Sequence, residues 1–268
     1  VTDSGFDSAP IDIDTSVPHS ARIYDYLLDG KDNYAADRKA ADEITALFPD
    51  VRAAAWANRE YMQRAARFLA ERDVDQYLDI GTGIPTEPNL HQVVQEIVVD
   101  ARVVYADNDP IVLAHAEALL RGTRQGRTAY VSADVRNPES VLAYAREHLD
   151  FRRPIALSLV SVLQFVSDPY DPFQVIRQML EPLAPGSYLV LSHVTYEFEP
   201  EIWERIDAIY QKGPDSMKAR SREDFSRFFD GLELCAPGIV VATQWQPDSH
   251  MTVRDGRVPL YAAVARKP

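Results

Sequence analysis

A chain of 268 residues is long enough to bury one sizeable core, and its formal charge of −13, with no Lys/Arg cluster to suggest a local basic patch, argues against nucleic acid as a partner. Its longest apolar runs, such as 155–160, fall far short of a bilayer span, and the acidic start VTDSGFDSAP lacks the basic and apolar regions of a secretory signal, which predicts a cytoplasmic protein with no membrane partner. The single cysteine, Cys235, excludes an internal disulfide, and no spacing of histidines or acids reads as a metal site.

Residues 1–17 show no helical period and are predicted to be a flexible tail. From Pro18 to about residue 73 the signals are helical, and this stretch is expected to form an N-terminal cap. Ser20 is placed to cap a short helix running to Leu28, with Gly30 where that helix would end. ADRKAADEITALF then repeats apolar residues at helical spacing. Asp50 opens VRAAAWANREYMQRAARFLAER, whose Ala, Leu and aromatic residues share one broad face.

From residue 74 to the C-terminus strands and helices alternate, and this region is expected to be a cofactor-binding core. Strands are predicted at 76–80, 102–106, 128–132, 154–160 and 187–192, with helices at 89–98, 111–120, 138–148 and 172–183 between them. The strands are apolar throughout, as in YLDI and IALSLV, which suits a parallel sheet covered on both faces. Helices follow at 201–212 and 221–229, the second opened by a Ser221–Asp224 pair. GIVVATQW and PLYAAVA then read as two strands with no helix between them, so they should pair antiparallel at one end. The predicted fold is a doubly wound α/β domain: a seven-stranded, mostly parallel sheet with an N-terminal helical cap.

The most informative segment is Tyr77-Leu78-Asp79-Ile80-Gly81-Thr82-Gly83-Ile84-Pro85-Thr86. A buried strand carrying Asp79 runs directly into Gly81-Thr82-Gly83, where missing Cβ atoms let the backbone turn tightly against a ligand. The second strand ends at Asp107-Asn108. An acid there can accept hydrogen bonds from both ribose hydroxyls of an adenosine ligand. Asp109 competes for that role, but Asp109-Pro110 reads as a helix cap followed by proline at the first helical position. The third strand ends at Asp134-Val135, placing a carboxylate for an adenine amino group and an amide for a ring nitrogen.

A dinucleotide turn has a third glycine where this chain has Thr86, and Asp79 would repel a pyrophosphate. A carboxylate suits instead the cationic amino group and sulfonium region of S-adenosylmethionine (SAM).

LDIGTGIPT, VVYADNDP and AYVSADVR resemble the three cofactor motifs of class I SAM-dependent methyltransferases. Together with PHSARIYDYLLDGKDNYAADR and VRAAAWANREYMQRA, they make the chain similar to one S-adenosyl methyltransferase family, formerly classed as a domain of unknown function. The resemblance implies SAM as cofactor, with contacts at Asp79, Gly81, Gly83, Asp107 and Asp134. It implies no substrate. Gln164, in SVLQFVSD, is a departure, because such families often carry His there.

The cap holds Arg22, Tyr24, Tyr26, Lys31, Asn33 and Tyr34 close together. Either the tyrosines pack on the core, or the segment is a lid whose Tyr24 and Asn33 reach the methionine end of SAM while Arg22 or Lys31 balances a carboxylate. Asn58 and Arg59 either brace that lid or face solvent. On the acceptor side His193, in LVLSHV, is the candidate catalytic residue, with His250 weaker. Ser161 after the fourth strand, taken with the cofactor contacts, and Glu197 after the fifth open on the same side. The expected activity is methyl transfer from SAM to a small molecule. The alternatives are a non-catalytic SAM-binding protein and an NAD-dependent oxidoreductase.

Overall fold

The computed structural model describes residues 14–112, 123, 125–247 and 258–268. Its sheet is built from β1 (Gln76–Ile80), β2 (Arg102–Asp107), β3 (Arg127–Ser132), β4 (Ala156–Val160), β5 (Tyr188–Val194), β6 (Glu233–Leu234), β7 (Val240–Val241) and β8 (Leu260–Arg266). The order is β3-β2-β1-β4-β5-β8-β6, with β7 also on β8. The first five strands are mutually parallel, and β8 runs antiparallel to β5. Chain order reverses at β1, which lies between β2 and β4. Crossovers there leave in opposite directions and open a crevice at the carboxyl ends of the strands.

Eight helices are described: α1 (Ser20–Leu27), α2 (Ala35–Leu47), α3 (Val51–Ala70), α4 (Leu90–Gln95), α5 (Pro138–His148), α6 (Pro172–Leu180), α7 (Pro200–Tyr210) and α8 (Arg222–Ser226). The period-two alternation of β1 sends Leu78 and Ile80 to one face and Tyr77 to the other. On the first face they meet Val141 and Ala145 of α5 and Ile176 and Met179 of α6. On the second, Tyr77, Val103 and Tyr105 pack against Tyr61, Ala65 and Leu69 of α3, Val93 of α4, and Trp245. A third cluster joins α1 and α2 to α7 through Ile23, Leu27, Ile44, Phe48, Trp203 and Ile206.

Three local expectations change. His19, with extended backbone, holds the cap position of α1, and Ser20 is its first helical residue. The strand expected at GIVVATQW is split: only Val240–Val241 pairs with β8, and Glu233–Leu234 supplies a second short pairing upstream. Between them Pro237 has no N–H for the ladder, and Gly238, at φ +85°, turns the chain. Finally, β5 continues to Val194, so His193 lies inside the strand. The helix expected at 111–120 lies outside the described residues beyond Val112, as does His250. Among the described residues no helix is long and apolar enough to cross a membrane, and no cluster of His, Cys, Asp and Glu could hold a metal ion.

Candidate active site

The carboxyl ends of β1, β2, β3 and β4 open into one cavity. Tyr24, Asp79, Gly81, Thr82, Gly83, Asp107, Asn108, Asp134, Val135 and Ser161 all line it. The two glycines of the first turn do different work. Both sit at φ +66°, but a Cβ on Gly81 would lie 2.3 Å from Val162 Cγ2, whereas one on Gly83 would meet nothing within 4 Å. Gly81 is needed for packing against the loop after β4. Gly83, which lines the cavity, has open space where a Cβ would stand.

Asp107 is fixed by two backbone donors. The Gly83 N–H donates to Oδ2 at 2.8 Å and the Asp109 N–H to Oδ1 at 2.9 Å. Each oxygen keeps a lone pair for a further donor. Asp109 caps the turn that starts at Pro110, accepting from the Ile111 N–H at 2.9 Å, while its other oxygen pairs with His19 Nδ1 at 3.0 Å. The cap is thereby tied to the end of β2. Asp134 is gripped by Arg136, whose Nε lies 2.9 and 2.8 Å from its two oxygens.

Burial pushes the Asp79 carboxyl up to about 6, partly offset by the Ser158 hydroxyl and the Arg59 guanidinium, while Asp107 nearby adds to the rise. Asp107 is also raised, again chiefly by burial, against the pull of its backbone donors. Two buried carboxylates held at the switch point make a site that gains by taking up a cationic ligand.

A chain of hydrogen bonds links the sheet to the cap. Ser192 Oγ donates to Asn58 Oδ1 at 2.5 Å, Asn58 Nδ2 donates to the Tyr24 hydroxyl at 2.9 Å, and that hydroxyl donates to the Ala55 carbonyl at 3.0 Å. Ser161, at φ +58°, has Oγ 3.4 Å from Ser192 Oγ. Arg59 Nη2 donates to the carbonyls of Thr86 and Pro88, pinning the chain that follows the glycine turn. Asn58 and Arg59 therefore brace the site from α3.

Four expected residues are placed elsewhere. Asn33 Nδ2 donates to Asp25 Oδ2 at 2.8 Å and to the Gly30 carbonyl at 3.1 Å, which ties the α1–α2 turn and keeps the side chain off the cavity. Arg22 donates to the carbonyls of Asp14 and Val17. Glu197 accepts from the Tyr261 hydroxyl at 2.7 Å, away from the cavity lining. His193 is 1% exposed and contributes nothing to the lining, because the β5 pleat turns it into the face covered by Phe225 and Phe228. Conversely, His19, Gln164, Phe48, Trp203 and Ile206 line the cavity. For the last three no local sequence signal separates a cavity wall from an ordinary core position.

The strand order, the antiparallel final strand and the acid-bearing turns at the switch point define a class I methyltransferase fold. The chain belongs to the S-adenosyl methyltransferase family, whose model matches residues 7–268. It is similar to a solved DUF574 family protein from Streptomyces avermitilis, 46% identical over 96% of this chain and 100% of that one, with a TM-score of 0.92. It is also similar to a putative methyltransferase from Thermobifida fusca, 38% identical over 95% of this chain and 96% of that one, with a TM-score of 0.86. No protein with a curated description matches it.

Proposed function

We propose that this protein binds SAM and transfers its methyl group to a small-molecule acceptor in the cytoplasm. The observation that carries this reading is the pairing of buried Asp79 with the doubly anchored Asp107 across a turn that Gly83 leaves open. These residues fit the cofactor: a cavity wall without a Cβ, a carboxylate with spare lone pairs for ribose hydroxyls, and a second acid suited to an ammonium group. Asp107 with Asn108 would hold the ribose, Asp134 and Val135 the adenine, and Asp79 with the Gly81–Gly83 backbone and Ser161 the methionine end. When bound, SAM supplies an electrophilic methyl group on a sulfonium.

What the chain contributes is chiefly placement. Asn58 fixes the Tyr24 hydroxyl and Ser192 together, holding α1 against the end of β5, and apolar walls beyond Tyr24 keep water from the reacting atoms. His193 has no role in this mechanism. An NAD-dependent oxidoreductase is disfavoured by Asp79, a carboxylate where a pyrophosphate would sit. Titration calorimetry with SAM, S-adenosylhomocysteine (SAH) and NAD tests the reading, which predicts binding of the first two and not the third. Release of SAH against a metabolite library then separates an enzyme from a non-catalytic SAM-binding protein.

A further inference from the structure

Beyond the carboxylate-lined arm, the cavity runs into the hydrophobic cluster between the cap and α7. Leu27, Ile44, Phe48, Trp203 and Ile206 belong to that cluster and line the cavity as well. The Phe48 and Trp203 rings stand 6.5 Å apart and tilted by 47°. Aromatic and aliphatic walls of this kind favour an apolar guest that carries an aromatic ring.

Among the described residues, the charged side chains that reach the cavity outside the proposed methionine and ribose contacts each hold a partner within the protein. Arg59 is held on the Thr86 carbonyl, Arg136 on Asp134, His19 on Asp109, and Asp215 on the Ser20 N–H at 3.1 Å. Within the chamber walled by Leu27, Ile44, Phe48, Trp203 and Ile206, a charged group would leave water for side chains that carry no charge, which is costly.

Two polar atoms interrupt the apolar walls. Gln164 Oε1 and Trp203 Nε1 are buried without a hydrogen-bond partner, in residues only 6% and 8% exposed. Buried polar groups are nearly always satisfied; three residues lining the cavity carry orphans, Arg59 Nε being the third, and the two neutral ones mark groups that an uncharged guest can answer. The indole N–H can only donate, and the amide oxygen accepts. Among the described residues, with His193 turned away and His19 paired with Asp109, no imidazole lining the cavity is free to act as a base. An aliphatic alcohol would need one far more than an aromatic hydroxyl does.

We propose that the methyl acceptor is an uncharged aromatic compound whose hydroxyl donates to Gln164 Oε1 and whose second polar atom, a carbonyl-type oxygen or ring nitrogen, accepts from Trp203 Nε1. The proposal rests on the methyl-transfer reading above. In the reaction a hydroxyl lone pair forms the O–CH3 bond as the S–CH3 bond breaks. The bonding pair stays on sulfur as a neutral thioether, and the hydroxyl proton passes to solvent water.

The test measures binding of four compounds to the full chain, with SAH binding followed separately. 7-Hydroxycoumarin carries both polar groups, coumarin lacks the hydroxyl, 2-naphthol lacks the carbonyl, and glucosamine is polar and charged. The expected order places 7-hydroxycoumarin about tenfold ahead of each aromatic analogue, with glucosamine not bound. Gln164→Leu should erase the preference over coumarin, and Trp203→Phe the preference over 2-naphthol, each leaving the other preference in place. Glucosamine binding as well as the aromatics, no aromatic binding, or preferences that survive both substitutions would each overturn the proposal. SAH binding without the aromatic preferences removes this inference alone. Aromatic preferences without SAH binding instead remove the methyl-transfer reading, and with it the acceptor role.

Discussion

Arg220 Nη1 lies 2.7 Å from His193 Nε2, and this contact fixes the state of the imidazole. A guanidinium only donates, so Nε2 is the acceptor and the ring proton sits on Nδ1, donating to the Val194 carbonyl at 2.8 Å. Burial, with the Arg220 charge beside it, pushes the histidine down to about 3. A neutral, enclosed imidazole with both nitrogens engaged packs between β5 and α8.

From this follows a pH effect of definite sign. Below about pH 6.5 the unfolded ring takes up a proton that the folded ring refuses, so this residue's contribution to stability falls as pH drops toward 3. The slope from one such group is at most about 1.4 kcal/mol per pH unit. His193→Gln should flatten the acid limb of the unfolding free energy, measured by urea denaturation between pH 5 and 8. Methyl transfer in the folded fraction should stay near wild type. A rate loss of about a hundredfold with unchanged stability would restore the histidine to catalysis.

Asp79 acts in the opposite sense. With its folded value raised to about 6 from 3.8, the native state holds a proton that the unfolded chain releases between those values. Stability from this group therefore declines as pH rises through that window, by up to about 3 kcal/mol in order of magnitude. Asp79→Asn is expected to stabilise the ligand-free protein at pH 7 by about 1–3 kcal/mol while weakening SAM binding at least tenfold. Melting curves and calorimetry on one preparation check both. Gaining neither stability nor a binding defect would remove Asp79 from the cofactor role.

The glycines at 81 and 83 should separate folding from binding. Gly81→Ala adds strain at positive φ and forces Val162 to move, so a loss of about 2–4 kcal/mol is expected. Gly83→Ala meets no atom of the protein and should cost only about 1–2 kcal/mol, for its backbone alone. Its SAH affinity should nevertheless fall sharply, because the new methyl group enters the cavity. Similar melting temperatures for the two variants would contradict this division.

In the cap, His19, Ser20, Ala21 and Tyr24 line the cavity, whereas Asn33 is bound back onto Asp25 and Gly30. Hydrogen exchange on addition of SAH should therefore slow at 19–24 and change little at 31–34. Uniform protection over 18–34 would mean that the whole segment closes as one unit. No change at 19–24, with protection at the glycine turn, would leave Tyr24 as a packing residue.

The sequence by itself determined the five parallel strands and the positions of their acids. Asp79, Asp107 and Asp134 stand at the ends of short apolar runs, and a strand end at the switch point faces the crevice whatever else the chain does. The Asp109-Pro110 cap was legible for the same reason, being a contact between near neighbours. Tertiary structure decided what depends on distant partners. Whether His193 faces ligand or core turns on one residue of strand register and on Arg220, which approaches from the segment before α8. Asn33 was taken up by Asp25 across a turn, and Asn58 was recruited by Ser192 from the far side of the chain. The acceptor chamber is the extreme case. Trp203 and Ile206 have the helical spacing of any buried face and Phe48 ends α2, and only the packing of α2 against α7 makes them walls of a cavity.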